Sequence, residues 1–364
     1  MKGKRVLVAP LDWGLGHATR SIPVVREAMK QDCDVLLAGS GDSLDLLRDE
    51  FPALPFVSLP PYAPVYSSSS RLVLKLAQQF RRFQTTIRKE HQRTEEIVKE
   101  HAIDLIISDN RYGCWSQGVR SIFICHQVNL LLPSAFSWLS PAVNSLHRSY
   151  MGGFDLCWIP DWRGEQSLAG RLSQESRLPA VYIGPLSRFD CPRYEEKTYD
   201  LTFILSGPEP QRTLFEKKII GLVNTSNLRV CLVRGSEGEA KEIANPRITL
   251  VGRVNSAQIR QIIASSELMV MRPGYSTIMD LLFTGGRVVF VPTPGQPEQE
   301  YLANRLEDRG IAGHVDQRTF TIERLLKKSM LYGGFAGAPN DGALLRSALQ
   351  DALEKGLEDL HIHE

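Results

Sequence analysis

Short apolar runs rich in β-branched residues alternate with helical patterns along almost the whole 364-residue chain, and the alternation restarts after one aperiodic stretch. Such alternation calls for parallel strands joined by helical crossovers, the α/β arrangement. In the first half the candidate strands are Arg5 to Ala9, Asp34 to Ala38, Phe56 to Leu59, Asp104 to Ser108, Ser121 to Cys125, Leu156 to Ile159 and Ala180 to Ile183. The second half supplies Leu201 to Leu205, Arg229 to Val233, Ile248 to Val251, Leu268 to Met271 and Arg287 to Val291. Between the two series lies Gly184-Pro-Leu-Ser-Arg-Phe-Asp-Cys-Pro192, rich in turn residues and without periodicity. The expectation is two doubly wound domains, over residues 1–184 and 201–340, joined by a linker over 185–200. A last helix within 341–364 has no strand after it and is expected to cross back to the N-terminal domain. Doubly wound sheets bind ligands outside the carboxyl ends of their strands, so two of them imply a ligand cleft where those ends face each other.

Composition narrows the function classes. With 43% hydrophobic and 23% charged residues the chain is neither disordered nor fibrous. A net charge of +2 is too balanced for bulk capture of nucleic acid. Six cysteines without a C-x-x-C indicate neither a zinc site nor a disulfide framework, and the apolar stretch after Met1 is too short for a signal-peptide core. A reducing, cytoplasmic compartment is the expectation. The most apolar stretch, Ser121 to Val143, is broken by His126, Gln127, Asn129, Ser134 and Ser137, so it is suited to touching a membrane rather than crossing one.

One segment stands out by charge. From Arg71 to Arg93 there are seven basic residues against one acidic, Glu90. At helical spacing Leu72, Leu76, Phe80, Phe83 and Ile87 share one face, and Arg71, Lys75, Arg82 and Lys89 the opposite one. The segment is either a helix packed on the sheet with a solvated basic face, or a surface for anionic lipid helped by Tyr62 and Tyr66.

Chemistry-bearing residues gather where strands end. The first strand runs into Pro10-Leu-Asp-Trp-Gly-Leu-Gly-His-Ala-Thr-Arg20. Gly14 and Gly16 allow close backbone approach to a ligand, but Thr19 stands where the dinucleotide fingerprint requires glycine. His17 suits a general base, or else caps the helix. Arg20 meets a phosphate or pairs with a nearby carboxylate. Asp109, closing Ile106-Ile-Ser-Asp-Asn110, either orients the His17 ring or caps a following helix.

The second half offers three more strand ends. Leu205-Ser-Gly-Pro-Glu-Pro-Gln-Arg212 presents Ser206, Gly207 and Arg212 at a turn. Met271-Arg-Pro-Gly-Tyr-Ser-Thr-Ile-Met-Asp280 passes from strand to helix, with free N–H groups and two hydroxyls in the first helical turn, an arrangement that binds phosphate. Asp280, about one and a half turns on, suits paired ribose hydroxyls. Val291-Pro-Thr-Pro-Gly-Gln-Pro-Glu-Gln-Glu300 carries Gln296, Glu298 and Gln299, groups suited to sugar hydroxyls.

At these positions the sequence resembles the GT-B glycosyltransferases, in particular the MurG-like and UDP-glycosyltransferase clan. Gly14-Leu-Gly-His17 resembles their N-terminal glycine loop and Ser206-Gly207 their first C-terminal loop. Arg272-Pro-Gly-Tyr-Ser-Thr-Ile-Met-Asp280 is similar to their R-S-G-A-x-T-x-x-E donor motif, and Gln296 to Asn304 to their late Gln-Gln or Asp-Gln motif followed by N-A. Two features depart from the pattern. Pro273 replaces a small hydroxyl residue or glycine, and Asn304 lies farther from Gln299 than in the family.

The resemblance implies two Rossmann-like domains and a hexose or N-acetylhexosamine moved from a UDP-sugar to a hydroxyl acceptor, with inversion. Gly274, Tyr275, Ser276 and Thr277 would hold the diphosphate, with Arg272 or Arg212 adding positive charge, and Asp280 would take the ribose. The backbone of Val251, Gly252 and Arg253 would hold the uracil edge, and Glu298 and Gln299 the sugar. His17 and Asp109 would be the catalytic pair. No resident cofactor or metal is implied, since the UDP-sugar is a substrate. Implied partners are the nucleotide-sugar donor and a glycan or lipid-linked acceptor, with peripheral contact to anionic membrane at its cytoplasmic face and no nucleic acid. The alternatives are a UDP-sugar hydrolase of the pseudaminic acid pathway type, whose loop also reads G-x-G-H-x-x-R, and a non-catalytic nucleotide-sugar-binding subunit.

Overall fold

The computed structural model describes residues 3–62, 72–174, 178–207, 209–235 and 245–354. The chain divides into two compact units, Met1–Leu186 with Gly342–Glu364, and Ser187–Asp341. Tyr66, Arg71, His361 and His363 lie outside the described residues, as do the side chains of Leu72, Lys75 and Leu76.

The first unit carries strands β1 (Arg5–Pro10), β2 (Asp34–Gly39), β3 (Phe56–Ser58), β4 (Leu105–Asp109), β5 (Arg120–Ile124), β6 (Leu156–Ile159) and β7 (Ala180–Tyr182). They form one parallel sheet in the order β3-β2-β1-β4-β5-β6-β7. In β1 and β2 every residue but the first is buried, which is why both read as continuous apolar runs rather than alternating ones. Helices α1 (Leu15–Lys30), α2 (Gly41–Glu50), α3 (Leu72–His101) and α4 (Ser140–Met151) connect the strands.

The second unit repeats the scheme with β8 (Tyr199–Ile204), β9 (Val230–Val233), β10 (Ile248–Val251), β11 (Ser266–Met271) and β12 (Val288–Phe290), again all parallel, in the order β10-β9-β8-β11-β12. Its helices are α5 (Gln211–Val223), α6 (Ser256–Ala264), α7 (Tyr275–Thr284), α8 (Pro297–Asp308) and α9 (Ile322–Ser329). Asn255 and Gln258 close α6 with a reciprocal capping box. Phe203, Phe215, Ile219, Val289 and Phe320 centre its core.

In both sheets the strand order reverses beside the first strand of the unit. A reversal leaves a crevice at the carboxyl ends because the two flanking connections run to opposite faces. In the first unit the reversal lies between β1 and β4, whose last paired residues are Pro10 and Asp109. In the second it lies between β8 and β11, which pair Ile204 with Met271.

One expectation about segment boundaries changes. Residues 187–200, expected as a free linker, belong to the second unit: Ser187 Oγ donates to Asp280 Oδ1 at 2.7 Å, and β8 already begins at Tyr199. Turn-rich composition signals irregular backbone, not a lack of packing. The final helix lies within 341–364, as expected. It forms α10 (Ala343–Glu354) in the first unit, where Arg346 pairs with Glu27 of α1 at 3.4 Å.

Candidate active site

The first crevice is built by the loop after β1. Gly14 takes φ 77°, a left-handed conformation that suits glycine, and turns the chain directly into α1. His17 stands in the first turn of that helix and Arg20 one turn on. No helix follows Asp109 directly, so it is not a cap; Asn110 leaves β4 at φ 60°. The Asp109 carboxylate instead faces α1.

His17 Nδ1 lies 2.9 Å from Asp109 Oδ1. Arg20 grips the same carboxylate with two nitrogens, Nε to Oδ2 at 2.5 Å and Nη2 to Oδ1, and its Nη2 is also 2.8 Å from His17 Nδ1. On its far side Arg20 Nη1 lies 3.0 Å from His126 Nδ1. Arg20, Asp109 and His126 are all buried, whereas the His17 side chain keeps 17% exposure. Of the four groups, His17 is the one a substrate can reach.

The electrostatics suit a base. Burial and the Arg20 guanidinium push the His17 pKa below its ordinary value, against the opposing pull of Asp109, so the ring is neutral at pH 7. Burial alone works to raise the Asp109 pKa, but Arg20 and His17 hold that carboxyl well below the usual range. Asp109 is therefore a permanent anion beside a neutral imidazole.

The first unit holds a second buried ion pair, which no local spacing in the sequence records. Glu90, the one acidic residue in the basic stretch, is fully buried and accepts from Arg111 Nε at 2.5 Å and from the Gly113 N–H at 2.8 Å. The Tyr62 hydroxyl donates to the same carboxylate. Tyr62 is thus a buried part of the scaffold rather than a membrane-facing residue. Its ring joins Trp13, Phe83, Tyr112 and Tyr150 in a chain of contacting aromatics, with centroids 5.5 to 6.4 Å apart. Phe83 and Tyr150 belong to α3 and α4, so the two helices pack together beside the loop that carries His17.

The second unit is organised differently. At the turn after β11, Gly274 is the N-cap of α7, and Tyr275, Ser276 and Thr277 form the first turn of that helix at the strand end. Arg272 points away into the fold. Its Nη1 donates to the Val291 and Pro292 carbonyls at 2.7 and 3.1 Å, its Nη2 to Gln317 Oε1 at 2.6 Å, and the guanidinium stacks 4.5 Å from the Phe215 ring centroid. Burial lowers its pKa to about 10, still charged at neutral pH. Arg212 pairs with Glu209 at 2.6 Å.

Asp280 is buried and already bound by Ser187 Oγ at 2.7 Å and Arg188 Nε at 3.2 Å, with burial raising its pKa. The Val251 carbonyl accepts from the Arg234 N–H at 2.8 Å, and Gly252 and Arg253 follow at the end of β10. Gly207, at φ 101° after Ser206, faces the turn that follows β12; a Cβ there would sit 3.6 Å from Thr293 Oγ1. Within that turn Gln299 Oε1 accepts from the Thr293 N–H at 2.8 Å, so Gln299 staples the turn. Gln296 is the N-cap of α8 with its Oε1 buried and unbonded among the described residues, and Glu298 lies in the helix's first turn.

Residues 218–330 match the family model described as the glycosyltransferase family 28 C-terminal domain. Over 335 residues, covering 89% of this chain and 88% of the relative, the sequence is 21% identical to the UDP-N-acetylglucosamine–N-acetylmuramyl-(pentapeptide) pyrophosphoryl-undecaprenol N-acetylglucosamine transferase of Actinobacillus pleuropneumoniae. The chain is a glycosyltransferase of the GT-B fold. Solved structures with the same fold include MurG of Acinetobacter baumannii (TM-score 0.58, 14% identity, 96% of this chain and 99% of that one). Another is the glycosyltransferase of kitacinnamycin (TM-score 0.60, 17% identity, 97% and 95%). SnogD from Streptomyces nogalater is a third (TM-score 0.59, 12% identity, 97% and 95%). In this glycosyltransferase the family match falls on the unit that holds the α7 turn, while the histidine cluster lies in the other unit.

Proposed function

We propose that the protein transfers a hexose or N-acetylhexosamine from a UDP-sugar to a hydroxyl of a lipid-linked or membrane-adjacent acceptor, with inversion and without a metal. The observation that carries this reading is the reachable, neutral His17 backed by the buried Asp109 carboxylate. His17 Nε2 takes the acceptor proton while the acceptor oxygen bonds to the anomeric carbon and the bond from that carbon to the diphosphate oxygen breaks. Asp109 accepts a hydrogen bond from the Nδ1–H and stabilises the imidazolium that forms. UDP leaves with the bonding electrons, and the partial positive charge of a helix N-terminus such as that of α7 in the second unit suits its diphosphate.

The acceptor class rests on the surface of the first unit. Trp138 is 74% exposed, and Phe136, Leu146 and Phe80 are also exposed. Arg81, Arg82, Arg88 and Lys89 lie exposed on α3, which packs against α4. Exposed aromatics and cations on one unit suit an anionic lipid surface. No helix among the described residues is long and apolar enough to cross a membrane.

The test measures UDP release from UDP-sugars with and without a lipid extract, in buffer containing EDTA. Release that requires the extract and survives EDTA is the expected result. Release at the same rate without any acceptor would make the protein a hydrolase and end the transferase reading.

A further inference from the structure

We propose that Arg20, anchored by His126, is a positioning residue that holds Asp109 against His17 and decides which ring nitrogen of His17 carries the proton. The inference rests on the assignment of His17 as the base, and it concerns a group that touches the base's partner rather than the substrate.

The argument follows from which atoms can donate. A guanidinium has only N–H groups and a carboxylate has only acceptors. Asp109 Oδ1 lies between two nitrogens, Arg20 Nη2 and His17 Nδ1, and Nη2 and Nδ1 are themselves 2.8 Å apart. Asp109 asks for a proton on Nδ1; Arg20 asks for a bare Nδ1. These demands fix opposite tautomers, and only the first leaves Nε2 free to act as a base. The charged, two-point grip of Arg20 on Asp109 settles the contest, because guanidinium–carboxylate bonds are stronger than a guanidinium bond to a neutral ring. As long as both Nε and Nη2 engage the carboxylate, Nδ1 keeps its proton and points it at Oδ1.

His126 keeps that grip in register. Arg20 Nη1 donates, so His126 accepts through Nδ1 at 3.0 Å and carries its own proton on Nε2. Three elements therefore converge on one guanidinium: α1 supplies it, the end of β4 supplies the carboxylate and the segment after β5 supplies the anchor. The charged and titratable groups facing His17 from these elements are Arg20, Asp109 and His126. Arg20 also opposes a second positive charge on His17, which agrees with the lowered basicity of that ring. The imidazolium formed during transfer is thereby made ready to give up its proton for the next turnover.

The test uses the full chain with 15N-labelled histidine, His17 being assigned by the signal lost in His17→Asn. In the wild type the His17 spectrum shows the proton on Nδ1. In Arg20→Met the carboxylate loses its two-point anchor and turns from Nδ1, so the His17 spectrum becomes a mixture of the two tautomers. The acid limb of the kcat/KM profile moves to higher pH, since a neighbouring positive charge is gone, and the plateau falls about tenfold. His126→Asn, whose amide oxygen accepts in place of the ring nitrogen, keeps the wild-type tautomer and acid limb. His126→Leu shifts both toward the Arg20→Met result. The proposal is overturned if Arg20→Met and His126→Leu lower activity by the same factor at every pH and leave the His17 tautomer unchanged. The two His126 variants decide the matter should Arg20→Met not fold. The spectra need no substrate, so they stand apart from any failure of the transfer reading.

Discussion

The two units share one topology and place their chemistry at the same kind of crevice, yet they use opposite materials. In the first unit four side chains converge on one another, and backbone geometry serves to bring them together. In the second unit the charged side chains at the strand ends, Arg272, Arg212 and Asp280, are bonded to the fold itself, and the strand end after β11 passes straight into the N-terminus of α7. Proton transfer needs a group with a tunable pKa, which only a side chain supplies. Holding a diphosphate needs fixed donors and a local positive potential, which a helix N-terminus supplies at no risk of misplaced charge.

The sharpest way to break the comparison is to remove the base. His17→Ala is expected to lower kcat by about 10²- to 10⁴-fold while leaving UDP affinity in a calorimetric titration almost unchanged. A comparable loss of UDP affinity would place His17 in nucleotide binding and erase the distinction between the units. Asp109→Asn comes next, with a loss of about tenfold or more in kcat and little change in the donor KM. Intact turnover in that variant would remove Asp109 from the mechanism.

How much of this was legible in the sequence follows from the same contrast. All twelve described strands follow from strand-end arithmetic, because the apolar runs mark where each parallel strand stops, whereas the pairing of His17 with Asp109 was one of two readings the strand end left open. His126 and the Glu90–Arg111 pair were not legible. They meet across tens of residues on neighbouring elements, and no local spacing records such a meeting. The only available signal was indirect: Glu90 was the lone acid among seven bases, and His126 broke an otherwise apolar stretch. Arg272 was misleading for the opposite reason. A motif shows that an arginine stands at the turn, but not that two carbonyls and Gln317 hold both its terminal nitrogens.

That point gives the next prediction. Arg272→Met leaves two carbonyls without their donor and is expected to destabilise the protein by about 2 kcal/mol, read as a lowered denaturation midpoint. The sharper readout is UDP affinity, which stays near the wild-type value if the backbone turn carries the diphosphate. A large affinity loss in a variant of unchanged stability would show Arg272 reaching the ligand and make the second unit as dependent on side chains as the first.

The smallest expected effect concerns pH and stability. The folded His17 pKa lies below the value of the unfolded chain, so the unfolded state binds more protons as pH falls through the ordinary histidine range. Stability therefore rises with pH there: His17 costs nothing above its unfolded pKa, near 6.5, and its penalty grows as pH drops until the folded ring also protonates. His17→Asn removes that penalty, so urea midpoints measured at pH 7.5 and pH 5.5 should draw closer together in the variant than in the wild type. An unchanged gap would mean that the ring titrates normally in the folded protein. The first unit would then hold an ordinary histidine beside a carboxylate rather than a base tuned by burial and Arg20.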